Sequence, residues 1–178
     1  MRNKILLHTC CGPCVIYPIE KLKESYSLTL FFYNPNIHPE EEYEKRLKEA
    51  KKVADYYRVP LILAPYEREK WLEMVKGWEE EKEGGKRCEV CFTLRLRETA
   101  RFAKREGFLI FGTTLTSGRQ KNAELINRLG REIAAKEGLD FLIADFKEGF
   151  QVGLTISKKL SLYRQKYCGC IYSQKGSG

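Results

Sequence analysis

Apolar and polar positions alternate along this chain in blocks that predict strands separated by helices. Five short apolar runs have the length of buried strands, and each stops at glycine, proline or a polar turn. These runs cover residues 4–8, 28–33, 61–63, 108–112 and 141–143. Amphipathic stretches between them predict helices at 15–25, 39–57, 67–83, 88–105 and 122–136, and the tail at 149–167 is predicted to be helical in part.

Strands that alternate with helices pair in parallel, because each crossover returns the chain to the same end of the sheet. We therefore expect an α/β fold of three layers with a mostly parallel five-stranded sheet. Ligands bind beyond the carboxyl ends of such strands. The loops after the first, second and fourth strands should thus open onto one crevice; they are residues 8–14, 34–39 and 113–119.

The length of 178 residues predicts a single domain. We expect one α/β domain over 1–178, with a cysteine-containing helical insertion at about 66–106 and a C-terminal Cys-Gly-Cys tail. A hydrophobic content of 43% with 31% charged residues excludes a disordered chain and a membrane-spanning one. The net charge of +8 favours a polyanionic partner such as nucleic acid.

The apolar part of the amino terminus covers only residues 5–7, which is too short for a signal peptide. A cytoplasmic location is therefore expected, and in that compartment clustered cysteines more often bind metal or perform redox chemistry than form structural disulfides. The seven cysteines form three groups: Cys10-Cys11-x-x-Cys14, Cys88-x-x-Cys91 and Cys168-x-Cys170.

A structural zinc site with four thiolates is one interpretation of these groups. Against it, the first group follows the first strand, at the functional edge of the sheet. An iron–sulfur cluster also takes four thiolates from separated pairs. We favour four ligands that combine the first two groups, with Cys14 one helical turn away as a candidate for an additional metal: Cys10, Cys11, Cys88 and Cys91.

The third group, Cys168-Gly169-Cys170, has a different spacing. A disulfide between cysteines two residues apart closes a small, strained ring, which is readily reduced. Free thiols or additional metal ligands are the alternative. His8 is a candidate proton donor or a satisfied strand-end residue. Asp145 is a candidate metal or substrate ligand, or a helix cap.

Basic side chains supply a candidate phosphate-binding surface, with solvated faces as the alternative: Arg95, Arg97, Arg101, Lys104, Arg105, Arg119, Lys121, Lys158, Lys159, Arg164 and Lys166. Four aromatic residues are candidates for stacking on an extruded base, with core packing as the alternative: Tyr33, Phe92, Tyr163 and Tyr167.

Several motifs, taken together and in order, resemble the QueH type of epoxyqueuosine reductase. They span nearly the whole chain: His8-Thr9-Cys10-Cys11-Gly12-Pro13-Cys14, Tyr33-Asn34-Pro35-Asn36-Ile37, Arg87-Cys88-x-x-Cys91, Thr113-Thr114-Leu115, Asp145-Phe146-Lys147 and Tyr163-Arg164-Gln165-x-Tyr167-Cys168-Gly169-Cys170. The resemblance implies a fold related to the adenine-nucleotide α-hydrolases and a tRNA-modifying oxidoreductase, which reduces epoxyqueuosine to queuosine at the anticodon wobble position.

The resemblance further implies a 4Fe–4S cluster on Cys10, Cys11, Cys88 and Cys91 and a redox-active pair, Cys168 and Cys170. An additional iron near Cys14 or Asp145 is a further possibility. The implied partners are the anticodon stem-loop of tRNA and an external electron donor, with no membrane. Two other classes stay open: an ATP-dependent tRNA-modifying enzyme of similar fold, and a non-catalytic zinc-binding RNA module. The first would need a Ser-Gly-Gly-type phosphate loop where residues 9–14 carry cysteines instead.

Overall fold

The structure is a computed structural model that describes residues 2–174. Its elements follow the predicted alternation: β1 (Asn3–His8), α1 (Gly12–Leu22), β2 (Tyr26–Phe32), α2 (Glu40–Tyr57), β3 (Leu61–Leu63), α3 (Arg68–Met74), α4 (Lys86–Arg105), β4 (Ile110–Thr113), α5 (Ala123–Glu137), β5 (Asp140–Phe141) and α6 (Phe150–Lys159). Short 3-10 turns cover Leu115–Ser117 and Lys147–Gly149.

The five strands form one parallel sheet in the order β3-β2-β1-β4-β5. Alternate residues of the central strand β1 pack into two separate hydrophobic cores, because successive side chains point to opposite faces of the sheet. Leu6 packs with residues of α3, α4 and α5. Ile5 and Leu7 pack with α1 and α2. The predicted α/β fold with a five-stranded parallel sheet is confirmed. No helix within residues 2–174 is long and apolar enough to cross a bilayer.

Helix α1 begins at the first cysteine motif and not at residue 15 as predicted, so Pro18 lies inside the helix and not in its first turn. A proline there cannot donate to the carbonyl four residues earlier, which belongs to Cys14. The hydroxyl of Ser117 donates to that carbonyl at 2.8 Å and replaces the missing bond. Gly12 is required by close packing, because a Cβ there would lie 2.7 Å from the carbonyl oxygen of Glu49.

The predicted helix at 67–83 is wrong in its second half. Helix α3 ends at Met74, and Gly77 then adopts a positive φ of 89°, which is a turn conformation. The buried side chain of Arg87 holds the following turns, because its Nη1 donates to the carbonyls of Trp78, Glu79 and Glu81. This irregular segment leads into α4 and its cysteine pair.

Candidate active site

The first cysteine group lies where β1 ends and α1 begins. Cys11 is the N-cap of α1, and its Sγ accepts a hydrogen bond from the amide of Cys14 at 3.3 Å. The Sγ atoms of Cys10, Cys11 and Cys14 all lie within 4.8 Å of one another, which is compact enough to hold a metal ion. Cys11 and Cys14 are joined as a disulfide. This disulfide must be reduced by two electrons before either sulfur can act as a thiolate ligand.

The second pair, Cys88 and Cys91, lies in the first two turns of α4, as the sequence predicts. Both side chains are buried in the core cluster that also contains Cys170 and against which Cys10 packs. The amide of Gly84 donates to the Sγ of Cys88 at 3.2 Å. Burial raises the pKa of Cys88, and the nearby Cys168 and Cys91 raise it further. The structure thus brings all three cysteine groups to one region at the end of the sheet.

The third group is in the segment that follows α6. Cys168 and Cys170 are both free thiols. The ammonium group of Lys121 donates to the Sγ of Cys168 at 2.9 Å. Burial favours the neutral thiol of Cys168, but the charges of Lys121 and Arg95 outweigh this effect, so its pKa is lowered. Burial raises the pKa of Cys170. The two sulfurs therefore differ in character, with the thiolate favoured at Cys168.

Residues 163–170, which we call the tail segment, pack against α2 and the loop before it. The guanidinium of Arg46 donates to the carbonyls of Tyr167 and Cys168 at 2.9 and 3.0 Å. The amide of His38 donates to the carbonyl of Gly169 at 2.8 Å. Gln165 reaches the first cysteine group, since its Nε2 lies 3.1 Å from the Sγ of Cys11. The tail segment thus connects the loop after β2 to the cysteines of α1.

A pocket of about 380 Å³ opens beside these sulfurs. The polar residues that line this pocket include Cys14, Lys121, Gln165 and Cys168, and its apolar lining includes Tyr17, Phe146, Phe150 and Leu154. Two of the predicted crevice regions line it, through Pro13 and Cys14 in the first turn of α1 and through the loop after β4. Among the residues that the structure describes, the loop at 34–39 does not line the pocket and instead supports the tail segment. Three exposed basic residues also line the pocket: Arg119, Arg164 and Lys166.

His8 is completely buried, and both of its ring nitrogens have partners. Nδ1 lies 3.1 Å from Oγ1 of Thr113, and Nε2 lies 2.9 Å from the carbonyl oxygen of Tyr33. Burial, assisted by the charge of Arg95, lowers the pKa of His8 to about 3. The imidazole of His8 is therefore neutral, and both of its nitrogens are engaged with residues at the ends of β4 and β2. This supports the interpretation of His8 as a satisfied strand-end residue and not as a proton donor.

Asp145 caps the turn that precedes α6, because its Oδ1 accepts a hydrogen bond from the amide of Lys147 at 3.1 Å. Its side chain is about half exposed. Within residues 2–174, the cysteines of the first group are brought together as candidate metal ligands without Asp145. The observed contacts of Asp145 therefore support its interpretation as a cap.

The candidate basic surface divides into buried and exposed members. Arg95 and Lys121 point into the protein, where they interact with the cysteines. This finding corrects their assignment to a phosphate-binding surface. The helical periodicity of α4 predicts that Arg95 lies near the cysteines, because it follows Cys91 by four residues and therefore shares its face of the helix. The remaining members are exposed: Arg97, Arg101, Lys104, Arg105, Arg119, Lys158, Lys159, Arg164 and Lys166.

The four candidate stacking residues lie in different environments. Tyr33 and Phe92 are buried in the core, and the hydroxyl of Tyr163 bonds to Glu42 at 2.8 Å. Tyr167 lines the pocket. Sequence reasoning missed Phe150, which lines the pocket and lies 4.8 Å below the guanidinium of Arg119. No local motif singles out Phe150, since only the packing of α6 on α1 brings it to the pocket.

Comparison with known proteins gives a consistent result. A sequence model described as "Epoxyqueuosine reductase QueH" matches residues 5–176. The epoxyqueuosine reductase QueH of Staphylococcus aureus is 39% identical over 100% of this chain and 78% of its own length. The protein of the same name from Thermotoga maritima is 38% identical over 95% of this chain and 89% of its own length.

The fold has a solved counterpart of low sequence identity. The structure described as "U34-tRNA thiolase NcsA from Methanococcus maripaludis with its 4Fe-4S cluster" superposes with a TM-score of 0.61. It is 15% identical, and the match covers 97% of this chain and 62% of that chain. At this identity the likeness concerns the α/β fold alone.

Proposed function

The chain belongs to the epoxyqueuosine reductase QueH family and is an oxidoreductase, and on that premise we propose how its cysteines reduce epoxyqueuosine to queuosine in tRNA. The convergence of three cysteine groups and two buried cations, with Cys14, Cys168 and Lys121 lining one pocket, carries this proposal. The ATP-dependent alternative is not favoured, because cysteines occupy the loop where a phosphate-binding motif would stand.

Conversion of an epoxide to an alkene consumes two electrons and two protons and releases one water. Oxidation of the Cys168 thiolate and the Cys170 thiol to a disulfide supplies two electrons and one proton, and solvent supplies the second proton, so the reaction balances. The oxidised pair then needs an external two-electron donor before the next turnover. The Lys121 ammonium, 2.9 Å from Cys168, favours the thiolate at that sulfur and makes it the more reactive member of the pair.

Thiol side chains from two separated motifs suit an iron–sulfur cluster in number and chemistry. The structure offers a further observation that fits such an anionic group: Nη2 of the buried Arg95 has no hydrogen-bond partner within residues 2–174. Once the Cys11–Cys14 disulfide is reduced, we assign the ligands to Cys10, Cys11, Cys88 and Cys91, with Cys14 as an additional thiol near any second iron. A bound cluster would supply single-electron transfer and Lewis-acid activation of the epoxide oxygen.

The pocket beside Cys168 has a volume suited to an extruded nucleoside. We place the wobble base against the aromatic lining of this pocket, to which Phe150 and Tyr167 belong. The exposed Arg119, Arg164 and Lys166 then lie where the flanking phosphates of the anticodon loop would pass. A tRNA substrate also places the enzyme in the cytoplasm.

Serine substitutions separate the two proposed cysteine sets. In protein purified without oxygen, serine at Cys10, Cys11, Cys88 and Cys91 together should abolish both bound iron and turnover. The double variant Cys168→Ser and Cys170→Ser should keep the iron content and visible absorbance of the unsubstituted protein, yet lose sustained reduction of epoxyqueuosine.

Iron, sulfide and zinc contents, together with turnover on tRNA, measure both outcomes. A full cluster in the quadruple variant would refute the ligand assignment. Wild-type turnover by the double variant would refute the redox role of Cys168 and Cys170. A colourless protein containing zinc, inactive on epoxyqueuosine tRNA, would instead support the zinc-binding RNA module.

A further inference from the structure

Arg95 is a buried cation without a carboxylate partner. It lies one helical turn after Cys91 in α4, and only 2% of the residue is exposed. Among residues 2–174 no carboxylate forms an ion pair with it; its Nε makes a long contact of 3.4 Å to the carbonyl of Cys91, and its Nη2 has no partner. The guanidinium also lies 5.6 Å from the centre of the Phe92 ring.

A buried charge without a counter-ion is costly, and proteins normally pair it or leave it in water. The sulfurs of Cys91, Cys168 and Cys10 interact favourably with the charge of Arg95, whereas the ammonium of Lys121 repels it. These three sulfurs come from all three cysteine groups, so the guanidinium lies within electrostatic range of each group. Protonated thiols carry no charge, and the favoured thiolate of Cys168 already has Lys121 as its hydrogen-bonded cation, whereas metal-bound thiolates supply further negative charge to balance Arg95.

The neighbouring arginine on the same helix gives a useful contrast. Arg97 lies two residues later, which turns it away from the cysteines, and it is exposed. Arg97 is therefore solvated and has no need of a buried counter-charge. The difference between these two arginines is one of position, since they share the same side chain and the same helix.

We propose that Arg95 balances the negative charge of the metal-bound thiolates and thereby raises the reduction potential of the cluster. This inference rests on the proposed function, because it requires an iron–sulfur cluster at the cysteines. Reduction adds a negative charge to a thiolate-ligated cluster, so a fixed cation nearby stabilises the reduced form. Arg95 acts here through the metal ligands and is not a residue that contacts tRNA phosphates.

The variants Arg95→Met, Arg95→Lys and Arg97→Met test this role. Methionine keeps an apolar chain in the space and removes the charge, lysine keeps a charge with a different donor geometry, and Arg97→Met is the matched control. Two quantities are measured for each variant: the midpoint potential of the cluster, by redox titration followed with electron paramagnetic resonance, and the stability of the metal-free, reduced protein in urea.

Arg95→Met should lower the midpoint potential, with about a tenfold smaller ratio of reduced to oxidised cluster at fixed applied potential, equivalent to 59 mV for one electron. The lysine variant should show a smaller shift, and Arg97→Met none. In the metal-free protein Arg95→Met should be at least as stable as the unsubstituted protein, because it removes a buried charge that has no carboxylate partner and leaves Cys168 its hydrogen-bonded cation, Lys121. A lower midpoint potential together with an undiminished stability of the metal-free protein would distinguish charge balance from a packing role, which predicts a loss of stability.

An unchanged midpoint potential in Arg95→Met would overturn the inference, as would destabilisation of the metal-free protein by that variant. If Arg95→Met retains too little iron for titration, the potential of Arg95→Lys decides, and a value equal to that of the unsubstituted protein overturns it. An unsubstituted protein that binds no iron would refute the proposed cofactor itself, which is a different result from a normal cluster that does not respond to Arg95.

Discussion

Substitution of Arg46 should release the tail segment from α2. Its Nε pairs with Glu42 at 2.7 Å, and its two terminal nitrogens donate to the carbonyls of Cys168 and Tyr167. The side chains of Arg46 and Glu42 are only 3% and 7% exposed. Arg46→Met would therefore leave a buried carboxylate with the hydroxyl of Tyr163 as its remaining side-chain donor.

Removal of one partner of a buried ion pair costs about 3–5 kcal/mol, a large part of the 5–15 kcal/mol that holds an ordinary domain folded. If the stranded charge of Glu42 is the main cause, then Glu42→Gln in the Arg46→Met background should recover part of the loss. About 2 kcal/mol should remain, because the two carbonyls still lack their charged donor.

Urea unfolding of the anaerobically purified protein measures these free energies, and the rate at which a maleimide modifies Cys170 measures the release of the tail segment. Cys170 is 7% exposed, so its modification should accelerate in Arg46→Met. The matched control is Arg128→Met, which breaks an exposed pair with Glu132 at the same helical spacing and should cost less than about 0.5 kcal/mol.

A loss of less than about 1 kcal/mol in Arg46→Met, with Cys170 still protected, would contradict this role of Arg46. A full additional loss from Glu42→Gln in the Arg46→Met background would show that the two residues are uncoupled and would contradict it as well.

Two further predictions concern pH and salt. His8, whose pKa is lowered from 6.5 to about 3, contributes stability that is fully present above pH 6.5 and is lost as the pH falls towards 3, because the unfolded chain binds the extra proton. In His8→Gln, the slope of unfolding free energy against pH in that window should fall by up to about 1.4 kcal/mol per pH unit; an unchanged slope would contradict a buried neutral His8. Affinity for tRNA should fall steeply with salt, and substituting methionine at Arg119, Arg164 and Lys166 should reduce the log–log slope by about 2, since each phosphate contact contributes about 0.7–0.9. The exposed Arg128 and Arg131, which do not line the pocket, are the matched controls; an equal loss of slope from both sets would remove the pocket mouth from the binding surface.

The fold class and the family follow from local patterns in the amino-acid sequence. Apolar runs separated by amphipathic stretches allow little besides a parallel sheet with crossover helices, because each run must be buried and each crossover must return the chain. The cysteine groups were equally visible, since Cys10-Cys11-x-x-Cys14 and Cys88-x-x-Cys91 are local patterns at predicted element ends. The length of α3 does not follow from the local sequence. The polar residues after Met74 are compatible with a helix, but Gly77 adopts a positive φ and Arg87 hydrogen-bonds to the carbonyl of Trp78, so the chain forms turns there.

The set of charged residues that belongs to the site depends on tertiary packing and not on local sequence. Lys121 and Arg119 lie two residues apart in one loop, yet one reaches Cys168 and the other is exposed. Arg46 and Gln165 hold the tail segment against sulfurs and helices that are more than 100 residues away in the chain. Such contacts have no local pattern, because a cation's environment depends on which distant segments exclude water from it.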